Sequence, residues 1–145
     1  MRIHEKERFD RENMFGLGNA NTAYARYFTG NSYLNPLTEA GKCPVFLANV
    51  TFEPGCRNNW HIHNASKGGG QILICVAGRG YYQEWGQPAR ELHPGDVVEI
   101  PAEVKHWHGA APESWFSHLA IELHPELGPA QWLEPVADED YSQLK

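Results

Sequence analysis

The sequence predicts a single all-β domain, either a sandwich or a barrel closed on itself. Three observations carry this expectation. Short runs rich in β-branched and aromatic residues recur between residues 27 and 123, Gly/Pro turns separate them, and no interval there holds a helix-length apolar stripe of 3.6-residue period. With 145 residues the chain has the size of one ordinary domain. Folding at this length buries roughly two-thirds of the unfolded surface, which builds a core without disulfide or metal staples. Any metal therefore has to be argued as functional.

Taken in order, residues 1–26 are polar, charged and Asn-rich. They read as an irregular N-terminal arm or short irregular helix, suited to crossing onto a partner subunit. The domain proper is expected over 27–123. Its first long strand is Val45–Phe52, stopped by Glu53-Pro54-Gly55. Residues 71–76 form the next, stopped by Ala77-Gly78-Arg79-Gly80, and residues 80–85 run to Gly86-Gln87-Pro88. Val97–Ile100 enters from the turn His93-Pro94-Gly95-Asp96, which leaves His93 as an exposed turn residue, and 115–123 is the last strand. The tail, 124–145, carries Pro125, Pro129 and Pro135 and reads as a loop-rich wrap with one helical turn over 138–144.

Composition excludes several functions. Twelve basic against 18 acidic side chains give a net charge of −6, and no Lys/Arg cluster exists to neutralise phosphates, so no nucleic-acid partner is expected. The longest apolar stretches, 45–50 and 72–77, fall far short of the roughly 20 residues that span a bilayer. No membrane partner is expected either. The charged N-terminus lacks the apolar segment of a secretory signal, and three cysteines cannot all pair, so reduced thiols and a cytoplasmic home are expected. Cys56 and Cys75 read as small apolar fillers.

The histidines carry the chemistry. Of eight, seven lie between residues 61 and 124, and two pairs, His61/His63 and His106/His108, have i, i+2 spacing. In a strand this spacing projects both imidazoles onto one face. Two such pairs in one barrel either converge on a cation or serve as ordinary barrel residues. Among the aromatics, Trp60, Trp85, Trp107 and Trp115 are candidates for a pocket wall or for core packing. Alternation turns Trp60 and Trp107 away from their neighbouring histidines, which favours packing.

The surrounding sequence adds order to these pairs. Gly55 is followed after five residues by His61-Ile62-His63, then a spacer, Gln71, six residues and Gly78; further on, Gly95-Asp96-Val97-Val98-Glu99-Ile100-Pro101 precedes His106-Trp107-His108. This pattern resembles the two signature motifs of the cupin superfamily, small jelly-roll β-barrels that commonly hold a divalent metal. It covers about residues 45–123. The resemblance implies His61, His63 and His106 as metal ligands and puts Gln71 where the family has a glutamate ligand. Gln71 is then either a fourth ligand or a hydrogen-bonding neighbour of the ion. Three departures stand out: seven residues (64–70) lie between His63 and Gln71 and end in a Gly68-Gly69-Gly70 lip, Glu103 replaces a glycine, and Ala110 replaces an asparagine.

The run Lys105-His106-Trp107-His108-Gly109-Ala110-Ala111-Pro112, with Gln71, is similar to that of small bacterial cupins that include manganese-dependent hydroxynitrile lyases. That similarity implies that His108 and His118 also line the active site, as proton-handling residues or as satisfied core histidines. It further implies manganese as the cofactor, with zinc, iron or nickel as other divalent ions suited to imidazole ligands. The function it points to is a lyase that cleaves a carbon–carbon bond, hydroxynitrile lyase-like or decarboxylase-like, on an anionic or α-hydroxy small molecule, with His108 as general base. A cupin dioxygenase and a non-catalytic metal-bearing binding module are the alternatives. The resemblance also suggests a homodimer.

Overall fold

The computed structural model of the chain describes residues 3–64, 70–123 and 130–145. In chain order these residues form helix α1 (Ile3–Glu12), strands β1 (Asn19–Ala20), β2 (Phe28–Thr29), β3 (Ser32–Pro36), β4 (Val45–Phe52), β5 (Arg57–Asn58), β6 (His61–His63), β7 (Gln71–Gly78), β8 (Gly80–Glu84), β9 (Arg90–Leu92), β10 (Val97–Ile100), β11 (His106–Ala110), β12 (Phe116–Leu123), β13 (Ala130–Trp132) and helix α2 (Asp138–Tyr141). Most of the spacer after His63 (65–69), with His124, Pro125 and Pro129, lies outside the described residues.

All strand pairs are antiparallel and form the two sheets of an all-β jelly roll. One runs β1-β3-β4-β12-β7-β10; the other runs β13-β6-β11-β5-β2, with β8 on β11 and β9 on β8. Register explains what lies between them. Ser32, Phe52, Phe116 and Gly78 align across four strands of the first sheet, followed by Leu34, Val50, His118 and Cys75. The next row is Ala48, Ala120, Leu73 and Val98, and the last is Phe46, Glu122, Gln71 and Ile100. Because side chains alternate along a strand, every second residue enters the barrel. Phe52, Phe116, Leu73 and Val98 pack with Tyr82, Leu92 and Ala110 of the other sheet into the closed core. Leu34, Val50, His118, Phe46, Glu122 and Gln71 from the other rows, with Ala48 and Ala120, line a cavity.

The opposite face of β4 and β12 is polar yet fully buried at one end. Asn49, Thr51 and Ser117 are covered by the N-terminal segment, where Asn13 Nδ2 donates to Ser117 Oγ at 2.9 Å and Asn49 Nδ2 donates to the Gly16 carbonyl at 2.8 Å. Burying these groups is tolerable because each has a partner. The segment is more regular than the sequence suggested. Helix α1 has Glu5 in its first turn, Arg11 in its last and an Arg8–Glu12 pair at 2.8 Å. These features suit the helix dipole and i, i+4 spacing. Its anchor is Phe9, stacked 5.3 Å from Trp115, so the arm lies on its own barrel.

The tail also docks. β13 pairs with β6, and Val136 and Tyr141 join Trp60, Tyr81 and Trp107 in a second apolar cluster on the outside of the β11 sheet. Tyr141 donates to the Ala110 carbonyl at 2.5 Å, and buried Arg57 stacks 4.1 Å over the Tyr141 ring while pairing with Asp138. Cys56 and Cys75 are buried free thiols, raised to about 12 mainly by burial, which keeps them inert as fillers. Among the described residues no helix is long and apolar enough to cross a membrane.

Gly78 closes β7 at φ +73°, and a Cβ built there would sit 1.8 Å from the Trp115 carbonyl oxygen. Gly78→Ala therefore combines a left-handed backbone with a backbone clash. A loss of at least about 2 kcal/mol of stability is expected, read as a lower urea midpoint at unchanged slope.

Candidate metal centre

The site begins with two short strands that meet. β6 and β11 pair antiparallel with His106 opposite His61. Alternation sends His61, His63, His106 and His108 inward, while Trp107 turns outward into the second cluster. Glu103 steadies the approach to β11: it takes a positive φ of 69° at the position the motif gives to glycine, and its N–H donates to the His63 carbonyl at 2.8 Å.

Three imidazoles converge. One ring nitrogen from each of His61, His63 and His106 lies within 4.8 Å of the others, and all three residues are buried. His61 Nδ1 is 2.9 Å from the Asn59 carbonyl and His106 Nδ1 is 2.8 Å from the Val104 carbonyl. A carbonyl only accepts, so both Nδ1 atoms carry the proton and both Nε2 atoms keep a lone pair. His63 Nε2, His106 Nε2 and Gln71 Oε1 are buried without a hydrogen-bond partner. Buried polar atoms are rarely left unpaired, so a cluster of them is a reason to look for a ligand. This donor set, oriented through its outer Nδ1–H groups, suits a divalent ion.

Electrostatics favour the same chemistry. His61 is held well below its ordinary range by burial and then by His106. His106 falls to about 4, mainly through burial, and His63 falls too, with the neighbouring Gln71 side chain working the other way. Neutral imidazoles are the form that binds metal.

A second pair lies deeper. His118 Nε2 is 3.0 Å from His108 Nδ1, and the rings meet edge to face at 4.7 Å. Asn58 fixes His108: its Oδ1 accepts the His108 backbone N–H at 3.0 Å, and its Nδ2 lies 3.3 Å from the ring nitrogens. Burial holds His108 well below its ordinary value, with His118 the next cause, and lowers His118 to about 4. The His106 and His108 rings are 5.9 Å apart, so the pair adjoins the triad.

Both groups open on one cavity of about 470 Å³. The structure thus brings together His61, His63, Gln71, His108 and His118 on its wall, with the His106 ring tilted against His61 at 4.1 Å. None of Trp60, Trp85, Trp107 or Trp115 lines it; Trp60 and Trp107 pack outside, as alternation predicts. His93 is 58% exposed in its turn. Three lining residues escaped sequence reasoning. Trp132 lies 4.6 Å from the His61 ring and stacks on Tyr27 at 4.6 Å, Asn58 holds His108, and Glu122 stands beside Gln71 in register. Burial raises the Glu122 carboxyl from its ordinary value; a bound dication would act in the opposite direction.

Comparison with known proteins bears on the fold that carries this site. Residues 48–116 match the family model of the cupin domain. An (R)-mandelonitrile lyase of Granulicella tundricola is 45% identical over 118 residues, covering 81% of this chain and 87% of that protein. The crystal structure of a cupin-like protein from Thermotoga maritima superposes with a TM-score of 0.81 at 45% identity, covering 91% of this chain and 96% of that one. A DMSP lyase, DddQ from Ruegeria pomeroyi, shares the fold at 20% identity and a TM-score of 0.60, covering 81% of this chain and 57% of that one.

Proposed function

Since this chain belongs to the cupin family, we propose that it is a metal-dependent lyase that cleaves a carbon–carbon bond beside a hydroxyl-bearing carbon of a small molecule. The observation that carries this reading is the junction of two histidine groups on one cavity: a triad with free lone pairs and a pair joined at 3.0 Å. His61, His63 and His106 would hold a divalent ion, with Gln71 Oε1 as fourth donor. Manganese is the ion we place first; zinc, iron and nickel suit the same imidazoles. When bound, the ion supplies Lewis-acid polarisation of a substrate oxygen.

The chain's own residues handle the proton. Burial keeps His108 neutral, so one ring nitrogen is unprotonated and can accept a hydroxyl proton in place of its contact to Asn58. The O–H electron pair becomes the carbonyl π bond, and the pair of the breaking carbon–carbon bond leaves with the departing group, cyanide in the case of a cyanohydrin. That group then takes up the proton. A lone imidazolium is costly in this buried site, and the 3.0 Å contact lets His118 share the charge. Asn58 keeps His108 in place by gripping both its backbone and its ring. The relative named a mandelonitrile lyase supports hydroxynitrile cleavage within this class. A homodimer and a cytoplasmic setting complete the proposal.

Metal analysis of protein purified without added metal, paired with a turnover screen of cyanohydrins and α-hydroxy acids, tests it. About one divalent ion per chain and cyanide release from a cyanohydrin are expected, unaffected by removing oxygen. Oxygen consumption would point to an oxygenase instead. Tight binding without turnover would leave a binding module.

A further inference from the structure

The cavity wall carries apolar side chains, among them Phe28, Leu34, Phe46, Val50, Leu123 and Trp132, and neutral polar ones. One side chain does not fit either description. Glu122 is the only Asp, Glu, Lys or Arg among the described lining residues. It shares a row with Gln71 on β7 and Phe46 on β4, and strand alternation puts it on the same face as Ala120 and His118. It makes no hydrogen bond or ion pair with a described residue. The mechanism above does not use it.

A partly desolvated carboxylate without a partner is unfavourable until something donates to it. A ligand group carrying N–H, O–H or positive charge relieves that cost, whereas a second carboxylate in the same row adds like-charge repulsion. This opposes the ion, whose full charge under neutral donors would otherwise draw anions indiscriminately. We infer that Glu122 is a specificity-determining residue: it makes the cavity prefer ligands with an apolar body and a hydrogen-bond-donating or cationic substituent, and disfavour those with a carboxylate. The inference rests on the metal-holding reading of the site and narrows the substrate class, turning it away from α-hydroxy acids.

Calorimetric titration of the manganese-loaded protein at about pH 8 tests this with three matched probes: mandelate, 1-phenylethane-1,2-diol and protonated 2-amino-1-phenylethanol. Wild type is expected to bind the amine and the diol more tightly than mandelate. Glu122→Gln keeps shape and removes charge. It should shift the mandelate-to-amine affinity ratio at least about tenfold towards mandelate, with the metal content unchanged. Glu122→Ala should shift it in the same direction. A ratio constant within twofold in both variants overturns the inference, as does loss of the ion from Glu122→Gln or failure of all three probes to bind. Failure of the lyase reading looks different: no turnover of any cyanohydrin while these binding ratios still shift.

Discussion

His106→Ala is expected to lower the affinity for a divalent ion by more than about a hundredfold, since even outer partners of a metal ligand are worth 10–100-fold. His106 is fully buried, its Nδ1 is committed to the Val104 carbonyl, and its Nε2 has no partner among the described residues. An alanine offers no donor there, and no other described His, Cys, Asp or Glu joins His61 and His63 in the group. Elemental analysis after dialysis should give near-stoichiometric metal for wild type and little for the variant. Thermal unfolding separates lost affinity from lost fold. Metal that binds only the folded state raises the midpoint of wild type; it should leave that of His106→Ala almost unmoved. A variant retaining stoichiometric metal after chelator treatment would remove His106 from the ligand set.

The strands that read clearly in the sequence are those whose own residues decide them. Val45–Phe52 and Val97–Ile100 fall within the bounds their alternation suggests, and β7 runs two residues beyond 76 because Ala77 and Gly78 find partners in Ser117 and Phe116. Strands β1, β2 and β5 have two residues each, and β3 contains Asn35 and Pro36. Runs this short show no alternation to read, even where Phe28, Thr29 and Tyr33 are β-prone; pairing with neighbours fixes them as strands. Helix α1 hid for a related reason, since Phe9 is the one large apolar anchor among its described side chains and most of its other residues are charged.

The site divides in the same way. Spacing put His61 with His63 and His106 with His108, yet their convergence depends on His106 standing opposite His61, a matter of topology rather than spacing. Asn58 and Trp132 belong to strands of two and three residues and carry no periodic signal. Glu122 did carry one: it is the single charge in the apolar run 119–123, in phase with His118. A lone acid on the inward phase of a strand is costly to bury without a purpose.

His108→Ala is expected to reduce kcat by about 10²–10⁴-fold, the range that a positioned acid–base group contributes, with metal content at the wild-type level. The two readouts separate proton transfer from ion binding. His108 lies outside the triad whose ring nitrogens converge, so its removal leaves all three lone pairs in place. What is lost is the one imidazole that both adjoins the triad and contacts His118 at 3.0 Å. His118→Ala should cost less, because His108 remains to accept the proton and loses only the partner that shares it. The alanine at 108 also leaves space beside the Phe52 ring, which lies 6.0 Å from the imidazole. Added imidazole that enters this space should restore part of the rate in His108→Ala and none in His106→Ala, where the ion itself is missing. Undiminished turnover in His108→Ala would leave His118 or solvent as the base and reduce His108 to a packing residue.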